Sequence, residues 1–386
     1  MKHIKSFKYR LYPSRTQEQT LFETLKLTRE LYNAALEERR EAYRMQRVSI
    51  NVYAQLKTLP EIREARPEFK NIHVHVLQDV IQKLDRAFQA FFKRCKTGQT
   101  PGFPRFRTSS RWDSIMFKQV WDTPNNRWFG PGKPLPSSKI YLPKIGNVKI
   151  KLHRSLEGKP KTLTIKREGP HWYAVYTCEV ESKPLEPTNE TVGIDLGTNP
   201  NFLITSDGEF VEAPRHYQKA QKKLRTAQRT VSRRKRRSKR QGKARQAVAR
   251  LHCKVARQRL DFHHKTAHWL VGRFDHISHE NLNVIGLARM RAAKGVQDAG
   301  WAQFLNILSQ KAECAARTLI AVNPKFSSQD CSNCGHRQKV PIGKPYKCVA
   351  CGLLEHRDVN AALNVKARGA RSAPSARGPH EQPSTT

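Results

Sequence analysis

Residues 191–213 read "TVGIDLGTNPNFLITSDGEFVEA". Short apolar runs alternate with turn formers at Gly197–Pro200 and at Asp207-Gly208, a pattern that predicts three strands in an antiparallel meander. In the first strand an aspartate, Asp195, stands between Ile194 and Leu196. A carboxylate on a buried strand is costly unless it is paired or binds a metal. The meander therefore announces both a sheet and a candidate site.

Two further acids invite the same attention in a chain poor in acids. Glu280 ends the strand-like run "HISHE" and is followed by Asn281; Asp358 begins the amphipathic stretch "RDVNAALN". Hard carboxylate oxygens suit Mg²⁺, which takes few protein ligands and keeps water and substrate phosphate. Two such ions about 4 Å apart can activate a water and stabilise the leaving oxygen of a phosphodiester. Taken singly, each acid also reads as a helix cap, a turn former or an ion-pair partner.

Between the second and third acids lies Cys331-Ser-Asn-Cys334, then thirteen residues, then Cys348-Val-Ala-Cys351. Each C-x2-C pair lets two thiolates reach one ion from a tight turn, and four thiolates close a tetrahedral Zn²⁺ shell. A closed shell is structural, so His336 and His356 are surplus to it. The other four cysteines, Cys95, Cys178, Cys253 and Cys314, are scattered and read as buried free thiols of a reducing compartment.

Charge dominates the composition. The chain of 386 residues carries 72 Lys and Arg against 32 acids, a formal net charge of +40. Such self-repulsion disfavours a compact chain unless a polyanion screens it, which points to nucleic acid. Residues 215–265 concentrate the excess, with 20 Lys or Arg and one acid, Asp261. They are rich in helix formers and predict a basic two-helix hairpin bent near Gly242, gripping a nucleic-acid backbone. No run of eighteen uncharged apolar residues occurs and the N-terminus lacks a signal-peptide core, so the reading is intracellular without a membrane partner.

Upstream, residues 2–12 alternate as a strand, and Ser14 with Gln17 fits a capping box. A helix with Leu21, Leu25, Tyr32 and Leu36 on one stripe follows. A second runs from about Val76 to Lys96, with Leu77, Ile81, Leu84, Phe88, Phe91 and Phe92 at helical spacing. Those aromatics suit helix packing better than base stacking. "GFPRFR", residues 102–107, suits either a packed turn or stacking with phosphate contact. Period-two strands run from Lys139 to about residue 185, and "ESKPLEPTNE" is a linker. Further on, a strand over 274–282, a helix over Trp301–Arg317 and the strand "TLIAVNP" precede the cysteines.

Together "YRLYPS", "LDRAFQAFFKR", "GFPRFR", "VGIDLG", "HENL", "SSQDCSNCG", "CVACG" and "RDVNAALN" resemble the TnpB/OrfB family over nearly the whole chain. That family comprises transposon-encoded RNA-guided DNA endonucleases related to type V CRISPR effectors. The resemblance implies a multidomain α+β fold: a β-barrel-like wedge domain with a helical recognition insert, then an RNase H-like (RuvC) α/β domain holding a four-cysteine zinc-binding element. The implied boundaries are 1–12 and 106–185 for the wedge, 13–105 for the insert, 191–326 and 353–368 for the nuclease, 327–352 for the zinc element, and 369–386 for a disordered tail.

The same resemblance implies a catalytic Mg²⁺-binding trio of Asp195, Glu280 and Asp358, and zinc on Cys331, Cys334, Cys348 and Cys351. Nuclease-dead relatives lose such acids, so the intact trio favours cutting. Implied partners are a guide RNA from the transposon end and double-stranded target DNA with a short flanking motif. A monomer with one RNA, at the nucleoid of a prokaryotic cytoplasm, is implied too. The rival readings are a guide-directed DNA-binding regulator or accessory transposition protein that does not cut, and a transposase acting without RNA. This chain departs from the family pattern at His356, where an acid is common, and at Phe326, where an aromatic hydroxyl is common.

Overall fold

The structure, a computed structural model, describes residues 2–118, 139–287, 293–341 and 343–372. Part of the expected wedge, 119–138, and the last residues of the expected tail, 373–386, lie outside them. The chain divides into two compact units, Met1–Glu181 and Ser182–Thr386.

The first unit opens with β1 (Lys2–Tyr12). Helices follow as α1 (Arg15–Gln46), α2 (Val52–Lys57), α3 (Leu59–Ala65) and α4 (Val74–Lys96). The remaining strands are β2 (Ser114–Phe117), β3 (Lys139–Leu142), β4 (Gly146–Lys151), β5 (Lys159–Glu168) and β6 (His171–Glu181). All strand pairings are antiparallel in the order β2-β5-β6-β1-β4-β3. The sheet is a half-barrel, with β2 and β3 as its two edges. Alternation along β1 sends Phe7, Tyr9 and Leu11 into the core.

The capping box forms at Ser14 and Gln17, and the predicted stripe of α1 is buried. The indole of Trp112 donates to Thr28 Oγ1 at 2.9 Å, tying the return to the sheet onto α1. Of the α4 aromatics only Phe88 is fully packed; Phe92 stays half exposed. Helices α2 and α3 are six and seven residues long, too short for a periodic signal. Cys95 is exposed, and Cys253 and Cys314 are half-buried; only Cys178 of the scattered thiols sits in a core.

The second unit begins with β7 (Thr191–Leu196), β8 (Asn201–Thr205) and β9 (Phe210–Glu212), the expected antiparallel meander. Next come α5 (His216–Arg233), α6 (Lys239–Arg273), β10 (His276–Glu280), α7 (Val284–Leu287), α8 (Ala293–Ala299), α9 (Trp301–Cys314) and β11 (Thr318–Val322). The chain closes with β12 (Tyr346–Lys347), β13 (Leu354–Glu355) and α10 (Arg357–Ser372). The sheet order is β11-β10-β7-β8-β9, and β10 runs parallel to both β7 and β11.

Three expectations shift here. The basic hairpin bends at 234–238, not at Gly242, which lies in the first turns of α6. Ser238 caps α6 by accepting from Gln241 N at 3.1 Å, and the Gln241 side chain accepts from Arg237 N at 3.0 Å. Those two side chains, not a glycine, set the bend. Helix α9 ends at Cys314 because Ala316 turns left-handed (φ 57°) and Arg317 leaves the helix to pair with Asp275 at 2.6 Å. Residues 369–372, expected in the tail, complete α10, because Gly369 is buried against Ser278.

Helix α10 lies on β7, β10 and β11 with unusual closeness. A β-carbon on Gly193 would stand 2.1 Å from the Ala362 carbonyl oxygen and 2.5 Å from Lys366 N. One on Gly369 would stand 1.8 Å from Ser278 Oγ. No helix among the described residues is long and apolar enough to cross a membrane. Gly193→Ala should lower unfolding stability by at least about 1–3 kcal/mol, since backbone atoms must move. Gly272→Ala, in open space on α6, should be neutral or stabilising by up to about 1 kcal/mol. Denaturant titration of the two variants side by side checks this.

Candidate active site

Asp195 lies near the C-terminal end of β7, Glu280 is the last residue of the neighbouring β10, and Asp358 lies in the first turn of α10. Parallel pairing of β7 with β10 brings the first two side by side; the seating of α10 on Gly193 brings in the third. All three are partly buried. Burial, and then the charges of Glu280 and Asp358, push the Asp195 carboxyl up to about 7, against a smaller opposing pull from Arg357. Burial also raises Glu280, opposed by the Ser327 hydroxyl and by Arg368. The sheet thus gathers anionic oxygens that resist sharing one space, and a divalent cation relieves that repulsion. Three carboxylates are a donor type that Mg²⁺ takes.

Residues that no pattern in the sequence singles out hold this arrangement. The Ser327 hydroxyl donates to Glu280 Oε1 and fixes the carboxyl. Asn360 and Asn364 clamp α10 to the loop around Cys331. Asn360 Nδ2 donates to the Asp330 carbonyl at 2.8 Å while its Oδ1 accepts from Ser332 N at 2.9 Å. Asn364 Nδ2 reaches the Ser327 and Asp330 carbonyls at 2.9 and 2.7 Å. Arg368 adds bonds to the carbonyls of Asn323 and Lys325 and an ion pair with Asp330. Arg357 pairs with Asp358 at 3.2 Å.

The two departures from the family pattern have structural roles. His356 starts α10: its Nδ1 accepts from Asp358 N at 3.2 Å, and its ring meets Phe210 edge-on at 5.1 Å. Phe326 adopts φ 62° and lies beneath the Arg337 guanidinium, 3.7 Å from its ring centre.

The four cysteines form one cluster, with all sulfurs within 4.8 Å of one another. Cys331 and Cys351 sulfurs are 3.7 Å apart, and those of Cys334 and Cys348 3.6 Å. A tetrahedron of Zn–S bonds of about 2.3 Å has edges of about 3.8 Å, so the thiols stand where zinc would hold them. The two knuckles match: Gly335 N donates to Cys331 O at 2.9 Å and Gly352 N to Cys348 O at 3.0 Å, both glycines at φ 75°. The Leu353 N–H, then the Asn333 amide, hold the Cys351 thiol down to about 6.

Comparison with known proteins identifies the family. A family model described as "Probable transposase" (OrfB_IS605) matches residues 175–291, which contain Asp195 and Glu280. One described as "Cas12f1-like, TNB domain" matches 301–365, which contain the cysteines and Asp358. A "Putative RNA-guided DNA endonuclease" of Streptomyces pristinaespiralis is 30% identical over 96% of this chain and 90% of its own length. The chain belongs to the TnpB/OrfB family. Another member, InsQ of Escherichia coli, "Putative RNA-guided DNA endonuclease InsQ", is 28% identical over 96% of this chain and 93% of its own length. The fold is that of the protein in "Cryo-EM structure of the Cas12f1-sgRNA-target DNA complex", with TM-score 0.59 and 14% identity, covering 95% of this chain and 99% of that one. A "Helix-turn-helix domain" model matches residues 1–47, which here form β1 and the single helix α1.

Two outcomes follow. Because the Asp195 pKa rises from 3.8 to about 7 on folding, its cost is absent below pH 4, grows as pH rises, and is complete above about 7. At about 1.4 kcal/mol per unit, Asp195→Asn should stabilise the metal-free chain by about 1–4 kcal/mol at pH 8. The gain should shrink toward pH 5 in denaturant titrations. Elemental analysis of fresh protein should find about one zinc per chain, and Cys331→Ser should lose it; finding no zinc would overturn the assignment.

Proposed function

We propose that this chain is an RNA-guided endonuclease that cuts double-stranded DNA beside a short flanking motif. The observation that carries the reading is the convergence of Asp195, Glu280 and Asp358, brought together from β7, β10 and α10, with Asp195 held near neutrality by burial and by its two acidic neighbours. We assign the second unit to the RNase H (RuvC) type, supported by the antiparallel β9-β8-β7 meander extended by parallel β10 and β11. Residues 327–352 are its zinc element, and the nuclease domain ends at 372. In the first unit, 1–12 and 106–185 are assigned as the wedge and 13–105 as the recognition insert.

The three carboxylates would hold Mg²⁺, and we assign two ions to the site. Held by Asp195, Glu280 and Asp358, such ions would supply a nucleophilic water at neutral pH and charge stabilisation for phosphodiester hydrolysis. The chain's own residues do the positioning. Ser327 fixes the Glu280 carboxyl, and the α10 clamp fixes Asp358 against the sheet. The zinc element carries Ser327 and Asp330 on the turn just before its first cysteine, and its four-cysteine cluster anchors that turn.

Target reading is delegated to pairing between a guide RNA from the transposon end and one DNA strand. The cations of α5 and α6 are placed to neutralise phosphates without reading sequence. One chain with one RNA is the proposed working unit.

Purified protein carrying its own RNA should linearise a plasmid bearing the matched target, only with Mg²⁺. Asp195→Ala should abolish cutting while leaving target binding. Ser327→Ala should slow it about 10- to 100-fold, as loss of a ligand-orienting group does. No Mg²⁺-dependent linearisation by the unsubstituted complex would defeat the nuclease reading in favour of a regulator. Cutting that survives ribonuclease treatment of the preparation would defeat the RNA-guided one.

A further inference from the structure

We propose that the end of α4 and the loop after it form a stacking platform for single-stranded nucleic acid. The inference deepens the nuclease reading and rests on it only for the source of the strand, which is a guide RNA or a displaced DNA strand.

Three phenylalanines in this region are open to solvent: Phe92 at 49%, Phe103 at 48% and Phe106 at 46%. An exposed aromatic surface of this kind marks an interaction site. The rings are held from beneath. Phe103 meets Phe88 at 5.6 Å and Phe91 at 5.3 Å, both edge-on, and Phe92 stacks on Phe88 at 6.2 Å. The buried Phe88 thus anchors a cluster whose outer faces are open.

The loop is fixed as well. Arg94 donates to the Gly102 carbonyl at 3.1 Å. Asn33 on α1 donates to the Arg107 carbonyl at 3.1 Å and accepts from Arg107 N at 2.8 Å. Pro101 and Pro104 restrict the backbone between those anchors. A surface ordered in advance loses little entropy on binding.

Charge selects the occupant. From Ala87 to Trp112 the sequence contains no Asp or Glu, while Lys93, Arg94, Lys96, Arg105, Arg107 and Arg111 are interleaved with the phenylalanines along the chain. Open π-faces on a stretch of chain that carries cations and no acids match bases and phosphates together. Bases paired within a duplex do not offer their faces, so the fitting ligand is a single strand.

The test uses the full chain stripped of RNA, with fluorescein-labelled oligothymidylate, oligouridylate and a DNA duplex, followed by anisotropy at moderate salt. Replacing Phe92 and Phe103 together by Leu keeps apolar packing but removes the π-faces. That variant should bind single strands about 5- to 150-fold more weakly, as for loss of one stacked base. Its duplex affinity and its salt dependence should be unchanged. Replacing both by Tyr should restore binding. The oligonucleotide that loses more identifies RNA or DNA as the natural strand. Single-strand affinity unchanged by the Leu pair, or lost equally for duplex, would overturn the platform. If matched-plasmid cutting persists in such a result, the platform alone fails; if the unsubstituted complex never cuts yet the Leu pair loses single strands, the nuclease reading alone fails.

Discussion

The carbonyl oxygen of Ala362 occupies the space where a β-carbon on residue 193 would stand. This close approach of α10 to β7 governs the rest of the second unit. It works only with glycine at 193, and Gly369 makes the matching allowance against Ser278. Once α10 is seated, Asp358 comes beside Asp195 and Glu280. The helix reaches the sheet from a loop that carries the four cysteines, and Asn360, Asn364 and Arg368 bolt it to that loop's backbone. A chain of contacts therefore runs from the cysteine knuckles through Asp330 and Ser327 to the Glu280 carboxyl.

The site is electrostatically opposite to the molecule that holds it. A chain of net charge +40 keeps three acids together, and among the described residues Asp358 alone of the three forms an ion pair, with Arg357. Had Asp195 gained a buried arginine, the fold would be more stable and the oxygens would be occupied. Leaving the repulsion in place costs stability above neutral pH. The basic excess is placed elsewhere, above all on α5 and α6, where it faces water and can face phosphate.

Much of this was legible in the residues. The meander, its buried aspartate and the paired cysteines carry local signals: alternation, turn formers and fixed spacing. Motif resemblance linked Asp195, Glu280 and Asp358, which spacing alone could not, because they meet only through tertiary packing. Other features had no such signal. A lone Ser327 carries no pattern, and its bond to Glu280 depends on a turn that only the fold defines. Asn360 and Asn364 follow Asp358 closely in sequence, but the bonds they make to the Asp330 carbonyl depend on how α10 is seated. Composition points to Gly242 as the bend, whereas the capping of α6 by Ser238 and the side chain of Gln241 decide where the hairpin turns.

The central claim is that packing of α10 on the sheet makes one cation site from three separate carboxylates. Mn²⁺ binding followed by electron paramagnetic resonance tests it directly, comparing the RNA-loaded chain with Asp195→Asn, Glu280→Gln and Asp358→Asn, so that binding to the RNA is common to all four. The account predicts that each substitution removes the same tightly bound Mn²⁺ component from the unsubstituted complex. Equal tight binding in all four would contradict it.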